Sequence, residues 1–142
     1  MRCIAYKSGY KYQLEQDYVV DTGIVPPAPV HHSYYALDQH GRLTVRRSYA
    51  WGGPSGPTID TPSFMRGALV HDALYQMMRD GHLNPRENFR DQADALLRDL
   101  CREDGMTAIG AWLVYKAVKY FAGDAANPAS GKKLEHAPRG CP

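Results

Sequence analysis

The sequence has little cysteine: Cys3, Cys101 and Cys141 are the only three in 142 residues. So few, odd in number and far apart, they do not make a disulfide framework, and they lack the close spacing of zinc ligands. On this reading the chain can fold in a reducing compartment. Long apolar runs are also absent. The N-terminal MRCIAYKSGYKY carries charge but no apolar core of a signal peptide, and no stretch approaches the roughly 20 residues of a membrane span. The expectation is cytoplasmic synthesis without a cleaved signal or a transmembrane segment. Charge of one sign is missing as well. The 17 Lys and Arg against 15 Asp and Glu leave +2, with no block of like charge, which argues against a nucleic-acid partner.

What remains fits one domain over residues 1–142, long enough to bury roughly two-thirds of its unfolded surface. Residues 1–50 form its β-rich part. Tyr12, Leu14, Tyr18 and Val20 recur at even spacing, the period of a strand. Asp21-Thr-Gly23 gives a turn and Val25-Pro-Pro-Ala-Pro29 a stiff extended connection. Residues 34–37 and 42–45 flank Asp38-Gln-His-Gly41, which predicts a hairpin with glycine at its tight position. A Gly/Pro loop follows over 51–62. A three-helix core occupies 63–122, and a loosely docked tail 123–142.

The first helix is expected over 63–80, with Ser63 as N-cap, or Thr61 with Pro62 at the first helical position. Its apolar residues Met65, Leu69, Val70, Leu74, Met77 and Met78 point nearly all round the wheel, as in a buried helix. The second, 86–104, is signalled by Asn84-Pro85 and the capping-box Glu87, with an apolar stripe of Phe89, Ala93, Leu96, Leu97 and Leu100. The third, 107–122, has Ile109, Trp112, Leu113, Ala117 and Tyr120 as its expected packing face and Lys116 and Lys119 on a wetter side. The fold class is therefore α+β: a hairpin-rich N-terminal half packed on two antiparallel helices plus a third.

The buried first helix carries His71 and Asp72 in mid-span, with Phe64, Ala68 and Tyr75 toward the same side. Burying an ionised carboxylate is costly unless donors or a cation compensate. The plain reading is a satisfied structural pair. The chemical one is a general base: a carboxylate from the second helix holds the imidazole in one tautomer, leaving the other nitrogen to take a proton from water. Asp94 lies on the flank of the second helix's stripe, with Asp91 and Asp99 as alternatives. Asp72, with carbonyls of the preceding loop, offers the hard oxygen ligands that Ca²⁺ prefers, and such an ion would polarise an ester carbonyl.

Val70-His71-Asp72-Ala-Leu-Tyr75, preceded by Gly53-Pro-Ser-Gly56-Pro-Thr-Ile-Asp60, resembles the active-site helix and calcium loop of the phospholipase A2 superfamily. The resemblance implies a phospholipase A2-like helical core and a calcium-dependent ester hydrolase. His71 would be the base, Asp94 its orienting partner and Tyr75 a supporting donor. Asp72, Gly53, Gly56 and Asp60 would surround Ca²⁺, and a phospholipid or membrane surface would be the substrate. Where secreted phospholipases place cysteines beside this motif, the chain has Gly67, Ala68, Ala73 and Leu74. Over residues 57–123 the sequence also resembles a family of small, largely uncharacterised phage and bacterial proteins. Asp60 and Ser63, Val70 to Tyr75, Ala93-Asp94 and Tyr115-Lys-Ala-Val-Lys-Tyr-Phe121 carry that likeness. It implies a location in the bacterial host cytoplasm or the virion, and its Ala-Asp favours Asp94 over Asp91.

Three other readings compete. A non-catalytic virion or host-interaction protein on the same scaffold would use the Tyr-rich half and the polar tail, with a virion or host protein as partner. An HD-type metal phosphohydrolase would need further His and Asp ligands on an all-helical bundle, against the strand-rich first half. A peptidoglycan-acting hydrolase would want a zinc-type second His that is not evident.

Overall fold

A computed structural model of the chain describes residues 3–7, 10–52, 61–121, 126 and 134–142. Its elements in chain order are β1 (Ile4–Tyr6), β2 (Tyr12–Gln13), β3 (Tyr18–Asp21), β4 (Val30–His31), β5 (Tyr35–Leu37), β6 (Arg42–Val45), β7 (Ala50–Trp51), α1 (Pro62–Arg79), α2 (Phe89–Glu103), α3 (Ala108–Phe121) and β8 (Glu135–Ala137). The class is α+β, with small antiparallel sheets and three helices among the described residues.

The expected hairpin is β5–β6, with Leu37 opposite Leu43. Gly41 closes it at φ +84, a left-handed conformation that side chains resist. A β-carbon there would also come within 3.1 Å of the Ile24 backbone. β3 and β4 flank this hairpin in a four-stranded sheet of order β3-β6-β5-β4. Period-2 alternation turns Leu37, Leu43 and Val45 inward, where all three are fully buried. β2 pairs separately with β7, bringing Tyr12 opposite Trp51.

Helix α1 is buried nearly all round because it packs on two sides. One side shares a core with the sheet through Leu69, Val70, Ala73, Leu74, Met77 and Met78. Phe64 and Ala68 join a second core with Leu97, Cys101, Ala111 and Val114 from α2 and α3. Its entry is the proline-led one: Thr61 is the N-cap residue and Pro62 opens the helix. Contacts run in opposite chain directions, Arg66 to Asp104, His71 to Asp94 and Tyr75 to Arg90, so α1 and α2 are antiparallel. Arg66 grips both carboxylate oxygens of Asp104, at 2.9 and 2.8 Å, and donates to the Tyr18 hydroxyl at 3.0 Å, tying β3 to the two helices.

Four expectations need correction. The second helix begins at Phe89 rather than residue 86. Asn84 spends its capping power on a turn instead, its Oδ1 accepting from the Arg86 N–H and its carbonyl from the Glu87 N–H. The third helix buries Ala111 and Val114, not the face of Ile109, Trp112, Leu113 and Tyr120, which is exposed. Residues 134–142 are not loosely docked, because β8 pairs with β1. Cys3 and Cys141 are joined in a disulfide across 138 positions, where the scattered cysteines were expected to make no disulfide framework. The β1–β8 register sets Ile4 opposite Ala137, and this pairing of distant segments is what sequence spacing does not reveal. Cys101 is free and buried. No helix among the described residues is long and apolar enough to cross a membrane.

Candidate functional site

The chemistry-bearing residues of α1 and α2 meet at their interface. One turn of helix separates His71 from Tyr75, so both reach the same patch of α2. There Asp94, 1% exposed, receives both. His71 Nε2 lies 2.8 Å from Asp94 Oδ1, and the Tyr75 hydroxyl donates to the same oxygen at 2.6 Å. The His71 and Tyr75 rings stack obliquely, their centroids 4.1 Å apart. Of the three carboxylates considered, Asp94 is the one that reaches His71. Asp91 is exposed, and Asp99 accepts from Arg98 at 3.0 Å.

Asp94 Oδ2 is fully buried and has no hydrogen-bond partner among the described residues, so both of the carboxylate's hydrogen bonds converge on Oδ1. Burial, reinforced by the bond to Asp94 and its negative charge, pushes the Tyr75 phenol well above the ordinary tyrosine range, so it remains a donor. With Nε2 turned to Asp94, Nδ1 is the free ring nitrogen, and among the described residues it has no hydrogen-bond partner.

Arg90 is the member that sequence reasoning missed. Its Nε donates to the Tyr75 hydroxyl at 3.2 Å, and its Nη2 donates to the Lys119 carbonyl at the end of α3. A signal was available: Arg90 stands four residues before Asp94, the spacing that puts two side chains on one helical face.

Asp72 does not join this group. One residue further along α1 it turns about 100° away, into a cavity of about 90 Å³ whose walls include Tyr49, Trp51, Gly52, Gln76 and Arg79. Its negative charge adds to burial in raising the Tyr49 phenol. Among the described residues alone, the oxygen donors here do not complete a calcium shell. The same cavity holds the cations of Lys7 and Arg79, and no group of three or more His, Cys, Asp or Glu is gathered for a metal among the described residues. Gly53, Gly56 and Asp60 lie outside the described residues. Neither His71 nor Asp94 lines this cavity.

Comparison with protein-family models, with curated proteins and with solved structures finds no match.

Proposed function

We propose that the protein is a hydrolase of carboxylic esters in which His71 is the general base and Asp94 its orienting partner. The observation that carries this reading is the buried Asp94 carboxylate bonded to His71 Nε2, with Nδ1 left without a described partner. In the proposed step a water oxygen attacks the ester carbonyl while its proton passes to Nδ1. The imidazolium that forms is stabilised across the 2.8 Å contact to Asp94. The acyl–oxygen bond then breaks, and the departing alkoxide takes that proton back, restoring neutral histidine. Tyr75 holds Asp94 in place by its hydroxyl, and Arg90 holds Tyr75.

The phospholipase A2 resemblance supplies the substrate class, a phospholipid presented at a membrane surface, and the expectation of Ca²⁺ at Asp72 and the Gly53–Asp60 loop. No step above runs through that ion. The phage and bacterial resemblance supplies the setting, a host cytoplasm or virion. A second reading, a non-catalytic virion or host-interaction protein that keeps the scaffold, is favoured by the 6% exposure of His71, which sets it inside the helix–helix interface.

The deciding experiment is fatty-acid release from anionic phospholipid vesicles with and without Ca²⁺. Wild type should turn over and His71→Ala should lose roughly 10²- to 10⁴-fold while remaining folded. Asp94→Asn should lose less, since it disturbs orientation and keeps the base. Millimolar Ca²⁺ should raise the melting temperature of wild type and not of Asp72→Ala, by the stabilisation any ligand selective for the folded state confers. Absence of turnover in folded wild type would move the reading to the non-catalytic scaffold.

A further inference from the structure

Helix α3 is apolar on two opposite sides, and the fold covers one. Ala111, Val114 and the partly buried Val118 pack against the core of α1 and α2. On the other side Ile109, Trp112, Leu113 and Tyr120 are 74%, 52%, 55% and 77% exposed. Ile109, Leu113, Lys116 and Tyr120 fall within about 60° of one another on the helical wheel, with Trp112 at the border. The stripe they make is about 16 Å long at 1.5 Å per residue. Scattered exposed apolar residues are ordinary; a continuous row of large ones along one helix marks a contact surface.

The charge that α3 itself brings to this face has one sign. α3 contains Lys116 and Lys119 and no acidic residue. The Lys116 ammonium sits 5.6 Å from the Trp112 ring centre, and Lys119 5.6 Å from that of Tyr115. From α2, the Arg98 guanidinium, paired with Asp99 at 3.0 Å, lies 5.0 Å from the Tyr115 ring. Neither lysine is paired with a carboxylate of a described residue. Aromatic rings, aliphatic side chains and lysines whose ammonium groups lie over the rings make the combination that suits the boundary between lipid headgroups and acyl chains. There the apolar parts bury and the ammonium groups stay among phosphates.

We infer that the outer face of α3 docks this protein on an anionic lipid surface. A second copy of the chain fits less well. Two-fold pairing of the stripe would set Lys116, near its middle, close to Lys116 of the other copy. A strip of one helix about 10 Å across is also far smaller than the about 800 Å² per partner of a standard interface. The inference stands apart from the proposed chemistry, because it uses none of His71, Tyr75 or Asp94.

The test is flotation of the full chain with vesicles of phosphatidylcholine alone and with phosphatidylglycerol added. Binding should require the anionic lipid, weaken with salt, and shift the fluorescence of Trp112 to the blue. Lys116→Gln with Lys119→Gln should weaken binding roughly 30-fold, about fivefold for each lysine. Leu113→Asn should weaken it without changing the circular dichroism, because the side chain is exposed. His71→Ala should bind as wild type does, so loss of docking and loss of turnover are read separately. Equal binding to neutral vesicles, no binding to either, or affinity untouched by these substitutions would overturn the inference. So would a dimer in solution that the same substitutions dissociate, since a second copy would then own the face.

Discussion

Replacing Tyr75 by Phe removes one oxygen and leaves the ring that stacks on His71, so its cost isolates the hydroxyl. That hydroxyl donates at 2.6 Å to a carboxylate 1% exposed, and a hydrogen bond to a charged group is worth about 1.5–3 kcal/mol. Arg90 Nε loses an acceptor too, but its Nη2 retains the Lys119 carbonyl, so the loss should stay near 2 kcal/mol. At about 2.1 cal/mol/K per residue, the melting entropy of a chain this long is about 0.3 kcal/mol/K, and the melting temperature should fall by about 7 °C. Calorimetry and urea titration would measure it. The sharper arm is the same substitution made in Asp94→Ala. Removing Asp94 strands two buried donors, His71 and Tyr75, and should itself cost about 3–5 kcal/mol. In that background the Tyr75 hydroxyl has no acceptor, so Tyr75→Phe should cost nothing or restore stability. A cost of equal size in both backgrounds, or a cost under about 0.5 kcal/mol in wild type, would refute the network as drawn.

Three further outcomes follow from the same structure. Tyr35, Tyr49 and Tyr75 are almost fully buried, and burial first of all pushes each phenol above its ordinary value of 10.0. The fold therefore holds their neutral forms. Stability should be intact below about pH 10 and fall above it by about 1.4 kcal/mol per pH unit for each tyrosine, with their ionisation at 295 nm appearing only on unfolding. The Cys101 thiol is 0% exposed and pushed up to about 11 by burial and then by the charge of Asp104. At pH 8 only about one part in 10³ is thiolate, so iodoacetamide should label Cys101 in urea and leave it untouched in the native protein; rapid native labelling would contradict its placement. Gly41→Ala should cost about 1–3 kcal/mol, read by chemical denaturation, because it combines a positive φ with a clash against the Ile24 backbone.

Local signals in the sequence carry where they have no competitor. The Asp38–Gly41 turn has glycine where φ is positive, and the hairpin forms there. Pro62 opens α1 because proline lacks the N–H that a helix start leaves unpaired anyway. The Asn84 signal fails for an equally local reason: its side chain has a turn to close, and a turn and a helix start compete for the same groups. Pairings between distant segments had no local trace. Nothing near Cys3 announces Cys141, and β1 and β8 are too short to be recognised from alternation.

The site and the third helix differ in legibility for a reason that one residue makes plain. An all-round apolar helix with a histidine inside it demands a partner for that histidine, and on α2 the position flanking the apolar stripe provides one; Asp91 and Asp99 point elsewhere. The demand is chemical, so the sequence states it. α3 makes no such demand, because both its sides are apolar, and periodicity alone does not tell which side is inside. The charges do. Lys116 falls near the centre of the row formed by Ile109, Leu113 and Tyr120, and an unpaired ammonium does not survive in a core. The side of α3 that holds a lysine in its middle is therefore the outer one. Ala111 and Val114, small and uncharged, are what α1 and α2 can close upon. The same placement that removes Ile109, Trp112, Leu113 and Tyr120 from the core leaves them beside positive charge on the surface, which is where an anionic membrane would meet them.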